Sequence, residues 1–190
     1  MIDLFRGDLV RLAAVNPEES APLYARWNRD SFRARLLDSE PSILFSDKAI
    51  RGWIEKEQER NDLFAFTIRA LADDRMVGEV GLGYARNNRA ETFMGIGIGE
   101  RDDWNKGYGT DAVRLILRFA FLELNVHRVC LSVFEYNPRA QRAYEKAGFV
   151  EEGRARGALL REGRRWDEIF MGVLRPEWMK QYGSQLSLNG

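Results

Sequence analysis

The chain is nearly devoid of the side chains that build metal and disulfide chemistry, with one cysteine and one histidine in 190 residues. A lone cysteine excludes an intrachain disulfide, and one Cys with one His cannot complete a structural zinc site, so no metal is expected. An excess of charge of either sign is also missing: 29 Lys and Arg balance 29 Asp and Glu. That balance removes the broad attraction on which non-specific binding to nucleic acid or an anionic membrane surface depends. No apolar run approaches the roughly 18 residues of a membrane span. The opening stretch is broken by Asp3, Arg6 and Asp8, so no secretory signal is visible. Nucleophile-elbow chemistry lacks its G-x-S-x-G pattern. His127 and Cys130, three apart on one predicted strand, face opposite sides and do not form a couple; His127 reads as structural, Cys130 as a small core residue. These exclusions leave a cytoplasmic globular domain. At this length a chain hides about 70% of its unfolded surface, enough for a substantial core.

Periodicity supplies the organisation. Val10–Val15 reads as a first strand, ended by Asn16-Pro17. Two helical patterns follow, one carrying Leu23, Trp27 and Phe32, the other Ile50, Trp53 and Ile54. From Leu63 the period becomes two, with Phe64, Phe66 and Ile68 in one strand and Val77, Val80, Leu82 and Tyr84 in the next. A polar turn, Arg86–Arg89, leads to a third strand from Thr92 to Ile98. There Gly95, Gly97 and Gly99 share one face, the sort of face a ligand or another backbone approaches closely. Thr110–Leu124 is a strongly apolar helix, and Val129, Leu131 and Val133 mark another strand. Asn137-Pro138 opens a short helix that Gly148 closes. A final strand pair, Phe149–Arg154 and Glu168–Leu174, is joined by the basic stretch Arg161–Arg165, a hairpin tip. The order predicts an α/β sandwich on a mixed sheet, one domain over residues 1–178 with a peripheral tail from 179 to 190.

The informative segment is Trp104-Asn105-Lys106-Gly107-Tyr108-Gly109-Thr110-Asp111-Ala112. A glycine-punctuated loop leading into a helix presents backbone N–H groups at the positive end of the helix dipole, a site for phosphate oxygens. Gly107–Ala112 also satisfies the dinucleotide pattern G-x-G-x-x-A, with Glu135 after the next strand. That rival fails on topology, because seven residues (Glu100–Lys106) separate the preceding strand from Gly107 and too little chain follows for a second βαβ half.

Four segments taken in order, Gly95–Glu100, Trp104–Ala112, His127-Arg128-Val129 and Asn137-Pro138 through Tyr144-Glu145-Lys146-Ala147-Gly148-Phe149, resemble the GNAT superfamily of acyl-CoA-dependent N-acetyltransferases. The branch most resembled holds ribosomal-protein N-terminal and spermidine acetyltransferases, and the likeness is strong from about Gly78 to Trp178. It implies a mixed, mostly antiparallel sheet splayed in the middle, with helices on both faces. It implies acetyl-CoA as co-substrate and a primary amine as acceptor: a protein N-terminus, a polyamine or a small molecule. A homodimer is common among similar proteins. By resemblance, Trp104, Asn105, Lys106, Gly107, Tyr108, Gly109 and Thr110 wrap the CoA diphosphate. Ile96, Gly97 and Ile98 offer main-chain groups to the pantetheine arm, Asn137 binds the same cofactor, and Tyr144 stands near the sulfur. Trp104 replaces the Gln or Arg usual three places before the first loop glycine. A non-catalytic acyl-CoA sensor and a nicotinamide-dinucleotide enzyme are the alternatives.

The implied reaction needs a neutral amine and a protonated leaving thiol. A tyrosine near pKa 10 can protonate a thiolate near 8.5 at a cost of about 2 kcal/mol, which makes Tyr144 a reasonable general acid. No carboxylate stands out as base: Glu91, Glu100, Asp167 and Glu168 each read as structural or solvated. Trp27, Phe32, Phe45 and Trp53 either cover the acceptor side of the cleft or are simply core.

Overall fold

The computed structural model describes residues 2–85 and 88–187, with side chains through 183. Of the turn expected over Arg86–Arg89, Arg86 and Asn87 lie outside the described residues, and Asn88 and Arg89 already belong to the strand that follows. Among the described residues there are seven strands: β1 (Val10–Ala14), β2 (Leu63–Ala70), β3 (Met76–Ala85), β4 (Asn88–Ile98), β5 (Arg128–Phe134), β6 (Val150–Arg161) and β7 (Arg164–Leu174). The helices are α1 (Pro17–Asn28), α2 (Ser31–Leu37), α3 (Asp47–Gln58), α4 (Tyr108–Leu122), α5 (Pro138–Lys146) and α6 (Arg175–Ser187). The strands form one sheet in the order β1-β2-β3-β4-β5-β7-β6, antiparallel throughout except between β4 and β5. The expected splayed, mostly antiparallel sheet is thus observed.

The splay is visible in the register. Parallel pairing of β4 with β5 covers only Glu91, Thr92 and Phe93 against Arg128, Val129 and Cys130. Beyond that the strands part, while β4 stays paired with β3 out to Ile98 opposite Gly78. On one face, α4 buries Val113, Leu115, Ile116, Leu117 and Phe121 against Val80, Leu82, Met94, Leu131 and Val133. Its apolar stripe is nearly continuous, as a helix covered on most sides requires.

On the opposite face Gly97 and Gly99, at the end of β4, make room for side chains, whereas a Cβ on Gly95 would meet nothing within 4 Å. A Cβ on Gly99 would lie 2.0 Å from the Trp27 ring, and one on Gly97 would lie 2.5 Å from Glu79 Oε1. Trp27 is 3% exposed, so of the four N-terminal aromatics it alone is core; Phe32, Phe45 and Trp53 remain exposed.

Three departures from the periodicity have local causes. The first helical pattern breaks after Asn28, because Asp30 accepts hydrogen bonds from the N–H groups of Phe32 and Arg33 and so starts α2. The final hairpin is longer than expected because β6 alternates charged and small residues with little apolar signal; Glu162 and Gly163, both at positive φ, close its two-residue turn between Arg161 and Arg164. The C-terminal segment is helical across residue 178, with Trp178 buried against Phe121 at a ring separation of 5.4 Å and Tyr182 packed on Trp178.

One carboxylate ties β1 to α4. Asp111, in the first turn of α4 and 7% exposed, accepts from the N–H of Leu9 (2.7 Å) and Val10 (3.0 Å). Hydrogen bonds to a charged acceptor are worth about 1.5–3 kcal/mol, and removing it strands buried donors. Asp111→Ala is therefore expected to lower unfolding free energy by about 3 kcal/mol in urea titration; a loss below about 1 kcal/mol would show that this tie is dispensable.

Candidate active site

The parting of β4 from β5 opens a cavity of about 450 Å³ that passes through the sheet. Its lining includes Val113, Tyr108 and Tyr144 from the α4 side and Arg33, Leu36 and Leu37 from the α2 side. That size suits a small organic ligand.

The main-chain groups facing the gap follow from strand alternation. Gly99 N–H donates to Val77 O, so at a two-residue repeat Gly97 and Gly95 turn their groups to β3, and Ile96 and Ile98 turn theirs towards the gap. Ile98 O is already engaged, accepting from Arg33 Nε (3.0 Å) and Trp104 Nε1 (3.3 Å). Across the gap, Phe134 O accepts from Gln141 Nε2 (3.2 Å). Side chains thus pair carbonyls that a neighbouring strand would otherwise pair, leaving Ile96 open for an extended partner.

At one end of the cavity lies the start of α4. Gly107 is the cap residue at φ 88°, and Asn105 takes φ 61°. Two left-handed residues so close together curl the loop and turn successive N–H groups inward. The first intrahelical bond of α4 is Asp111 N–H to Gly107 O, so the N–H groups of Tyr108, Gly109 and Thr110 have no helical partner. Trp104, Asn105, Gly107, Tyr108, Gly109 and Thr110 all line the cavity together with Ile96, Gly97, Ile98, Asn137 and Tyr144. Lys106 does not: its Nζ is 3.4 Å from Asp103 Oδ1, in a shallow neighbouring cleft.

Asn137 is 7% exposed and both ends of its amide are used, Oδ1 accepting from Ala140 N–H (3.2 Å) and Nδ2 donating to Leu36 O (3.4 Å). Tyr136 joins it, its hydroxyl donating to Arg35 O at 2.7 Å. Together they pin the end of α2 over the gap. Tyr144 is 9% exposed, and burial pushes its phenol up to about 12, against the opposing charge of Arg139. Arg139 stacks over the Trp104 ring at 3.5 Å, and burial lowers its pKa. With Arg142 and Lys146 it forms a row on α5 that lines the cavity, and among the described residues none of the three forms an ion pair.

The four carboxylates weighed from the sequence are occupied elsewhere or lie outside the cavity. Glu91 pairs with Arg128 and accepts from Cys130 Sγ; Glu100 pairs with Arg26 and Trp27 Nε1. Asp167 accepts from Gly157 N–H, and neither it nor Glu168 lines the cavity. His127 is exposed, and Cys130 is half-buried beside Glu91 instead of in the core. Two residues the sequence did not single out matter more. Arg33 is 3% exposed, reaches Ile98 O and Glu79 Oε1 (2.8 Å), and stacks on Trp27. No local pattern distinguishes either partner of that pair, since they are 46 positions apart.

Residues 10–150 match the family model described as an acetyltransferase (GNAT) domain. Among curated proteins of Bacillus subtilis (strain 168), an SPbeta prophage-derived uncharacterized N-acetyltransferase, YokL, is 28% identical over 96% of this chain and 99% of its own length. The probable N-acetyltransferase YjcK is 33% identical over 87% and 92%. A solved spermidine N-acetyltransferase from Vibrio cholerae, in complex with CoA and spermine, superposes with a TM-score of 0.79 at 22% identity, covering 90% of this chain and 98% of that one.

The raised phenol pKa makes a prediction about stability. Tyr144 ionises near 10 when unfolded and about 12 when folded, so its contribution is complete below pH 10 and is lost as pH climbs through about 12. The unfolding free-energy gap between wild type and Tyr144→Phe should shrink by about 2–3 kcal/mol from pH 9 to pH 12 in urea titrations. A gap independent of pH would contradict the assigned environment.

Proposed function

The chain belongs to the GNAT acetyltransferase family and is an acyltransferase; we propose that it moves an acetyl group from acetyl-CoA, held in the gap, to a primary amine entering from the α2 side. The observation that carries this reading is the cavity running through the sheet, with unpaired strand edge on its wall and free helix N–H groups at its end. Those donors suit a diphosphate. The open main-chain groups of Ile96, with Gly97 and Ile98 beside them, suit the amides of a pantetheine arm, which would lie along β4 as an added strand does. Arg139, Arg142 and Lys146 supply unpaired positive charge along the same wall for a polyanionic cofactor. Trp104 serves through its ring and its bond to Ile98 O, as part of the wall.

Tyr144 remains protonated at physiological pH and stands as hydrogen-bond donor to the departing sulfur. Against a thiol near 8.5, a phenol near 12 makes complete proton transfer uphill by about 5 kcal/mol. Burial raises the thiol as well, which narrows that gap. Donation of a hydrogen bond, with transfer completed as the C–S bond breaks, is the role this fits.

The acceptor side of the cavity presents Leu36, Leu37, Phe93 and the cation Arg33. A polyamine would meet the Arg33 charge there and at most one carboxylate, Glu79, which Arg33 already pairs, so we assign the site to a singly charged amine on an apolar body, such as a peptide N-terminus. An α-amino group near pKa 8 also supplies neutral nucleophile at physiological pH.

Three measurements test the reading. Acetyl-CoA at about 100 times its Kd should stabilise the fold by about 2.7 kcal/mol. Gly107→Ala, which forces a side chain into φ 88° and within 2.8 Å of Leu9 Cδ1, should weaken CoA binding about tenfold by calorimetry. In thiol-release assays a leucine-led tripeptide amide should exceed spermidine in kcat/KM by about tenfold or more, a gap of at least about 1.4 kcal/mol. No stabilisation would defeat the assignment, and a preference for spermidine would defeat the acceptor class.

A further inference from the structure

We propose that Glu79 is the group that accepts the proton from the incoming amine, an inference that rests on the acetyl-transfer reading above. Glu79 is on β3, opposite Gly97 on β4, and cross-strand partners share a face of the sheet. Because residue 97 has no side chain, the Glu79 carboxylate lies across β4 itself: Oε1 occupies the space a Cβ on Gly97 would need, 2.5 Å away. Arg33 locates it relative to the gap, since one guanidinium holds Glu79 Oε1 (2.8 Å) and Ile98 O (3.0 Å) together. The carboxylate therefore lies on the Cβ side of Gly97, next to Arg33, which lines the cavity where Glu79 itself does not.

Its second oxygen, Oε2, is buried and has no hydrogen-bond partner among the described residues. A buried carboxylate oxygen left unpaired is costly, so such an atom marks a place for a donor. An amine reaching the gap past Leu36 and Leu37 arrives over Gly95 and Gly97 as an N–H donor. Other carboxylates near the gap are committed: Asp103 to Arg75 and Lys106, Glu91 to Arg128, Glu100 to Arg26. The charged or titratable groups that face Glu79 are Arg33 from α2 and Tyr24 from α1; its β2 neighbour is Thr67. Burial raises the carboxyl pKa and Arg33 opposes that shift, which brings the base closer to its amine.

In the step, the ammonium gives one proton to Glu79 and the freed nitrogen lone pair forms the C–N bond at the thioester carbon. The C–S bond then breaks, and the second proton leaving nitrogen balances the one taken up by sulfur. Glu79 returns its proton to solvent.

The test is Glu79→Gln, assayed with acetyl-CoA and leucylglycylglycine amide from pH 6 to pH 10, with CoA affinity measured in parallel. CoA affinity should be unchanged. Turnover at pH 7 should fall about tenfold, because about a tenth of an amine near pKa 8 is neutral there, and the deficit should shrink towards pH 10, where the amine is neutral unaided. A loss below about threefold, or one equal at every pH as a merely structural role would give, overturns the inference while leaving the acetyltransferase reading intact. If the wild type binds CoA yet acetylates none of the peptide, the acceptor class falls and this inference falls with it. Should Glu79→Gln not fold, Gly97→Ala displaces the same carboxylate with its charge intact, and the same pH-dependent deficit is required.

Discussion

Everything at this site depends on two parallel strands that stop pairing. After Phe93 and Cys130 the backbones of β4 and β5 separate, and polar main-chain groups in the middle of the sheet lose their natural partners. Buried groups of this kind must be satisfied in another way. Arg33 and Trp104 hold Ile98 O, and Gln141 holds Phe134 O. What is left open is a short length of strand edge whose best partner is another extended chain with amides. The free N–H groups of α4 stand at the end of that edge, so one groove offers strand-like pairing and anion binding in series.

The two faces of the gap do different work. On the α4 face, Met94, Ile96, Ile98 and Val113 are apolar and continuous with the core. On the other face small residues let large ones come close: Gly99 admits Trp27, and Gly97 admits the Arg33–Glu79 pair. Breaking a buried ion pair by removing one partner is costly, so Arg33 and Glu79 hold each other and α2 in place. Tyr136, Asn137 and Arg161 extend that hold, the last donating to the carbonyls of Asp38, Ser39 and Glu40. The wall over the acceptor side is thus fastened at several points to strands whose positions the sheet sets.

Much of this was legible from residue patterns, and the misses share a cause. Period-two runs in β2, β3 and β4, the apolar α4 and the Asn137-Pro138 start of α5 are local signals, and each marked a real element. The stretch from Trp104 to Thr110 was legible as a glycine-punctuated helix entry, and its reading as a phosphate site rested on its order among the other segments of the resemblance. The break between α1 and α2 rests on one capping aspartate inside a continuous apolar pattern. The full length of β6 was hidden because a solvent-facing edge strand needs no apolar alternation. Glycines at 97 and 99 did signal close approach, but of Glu79, Arg33 and Trp27, which only the folded chain brings there. Lys106 keeps its place in the loop, and its side chain turns to Asp103. Contacts between distant segments were the part no window of sequence contains.

The most direct measurement of the central claim is residue-resolved amide NMR on the isotopically labelled protein as CoA is titrated in. If strand edge and helix start together form the cofactor groove, the largest shifts fall on the N–H groups of Tyr108, Gly109 and Thr110 and on Ile96 and Ile98. Amides of β2 and of the β6–β7 turn should stay still. Shifts absent from both the α4 start and the free edge of β4, or confined to the cleft around Lys106, would contradict the account.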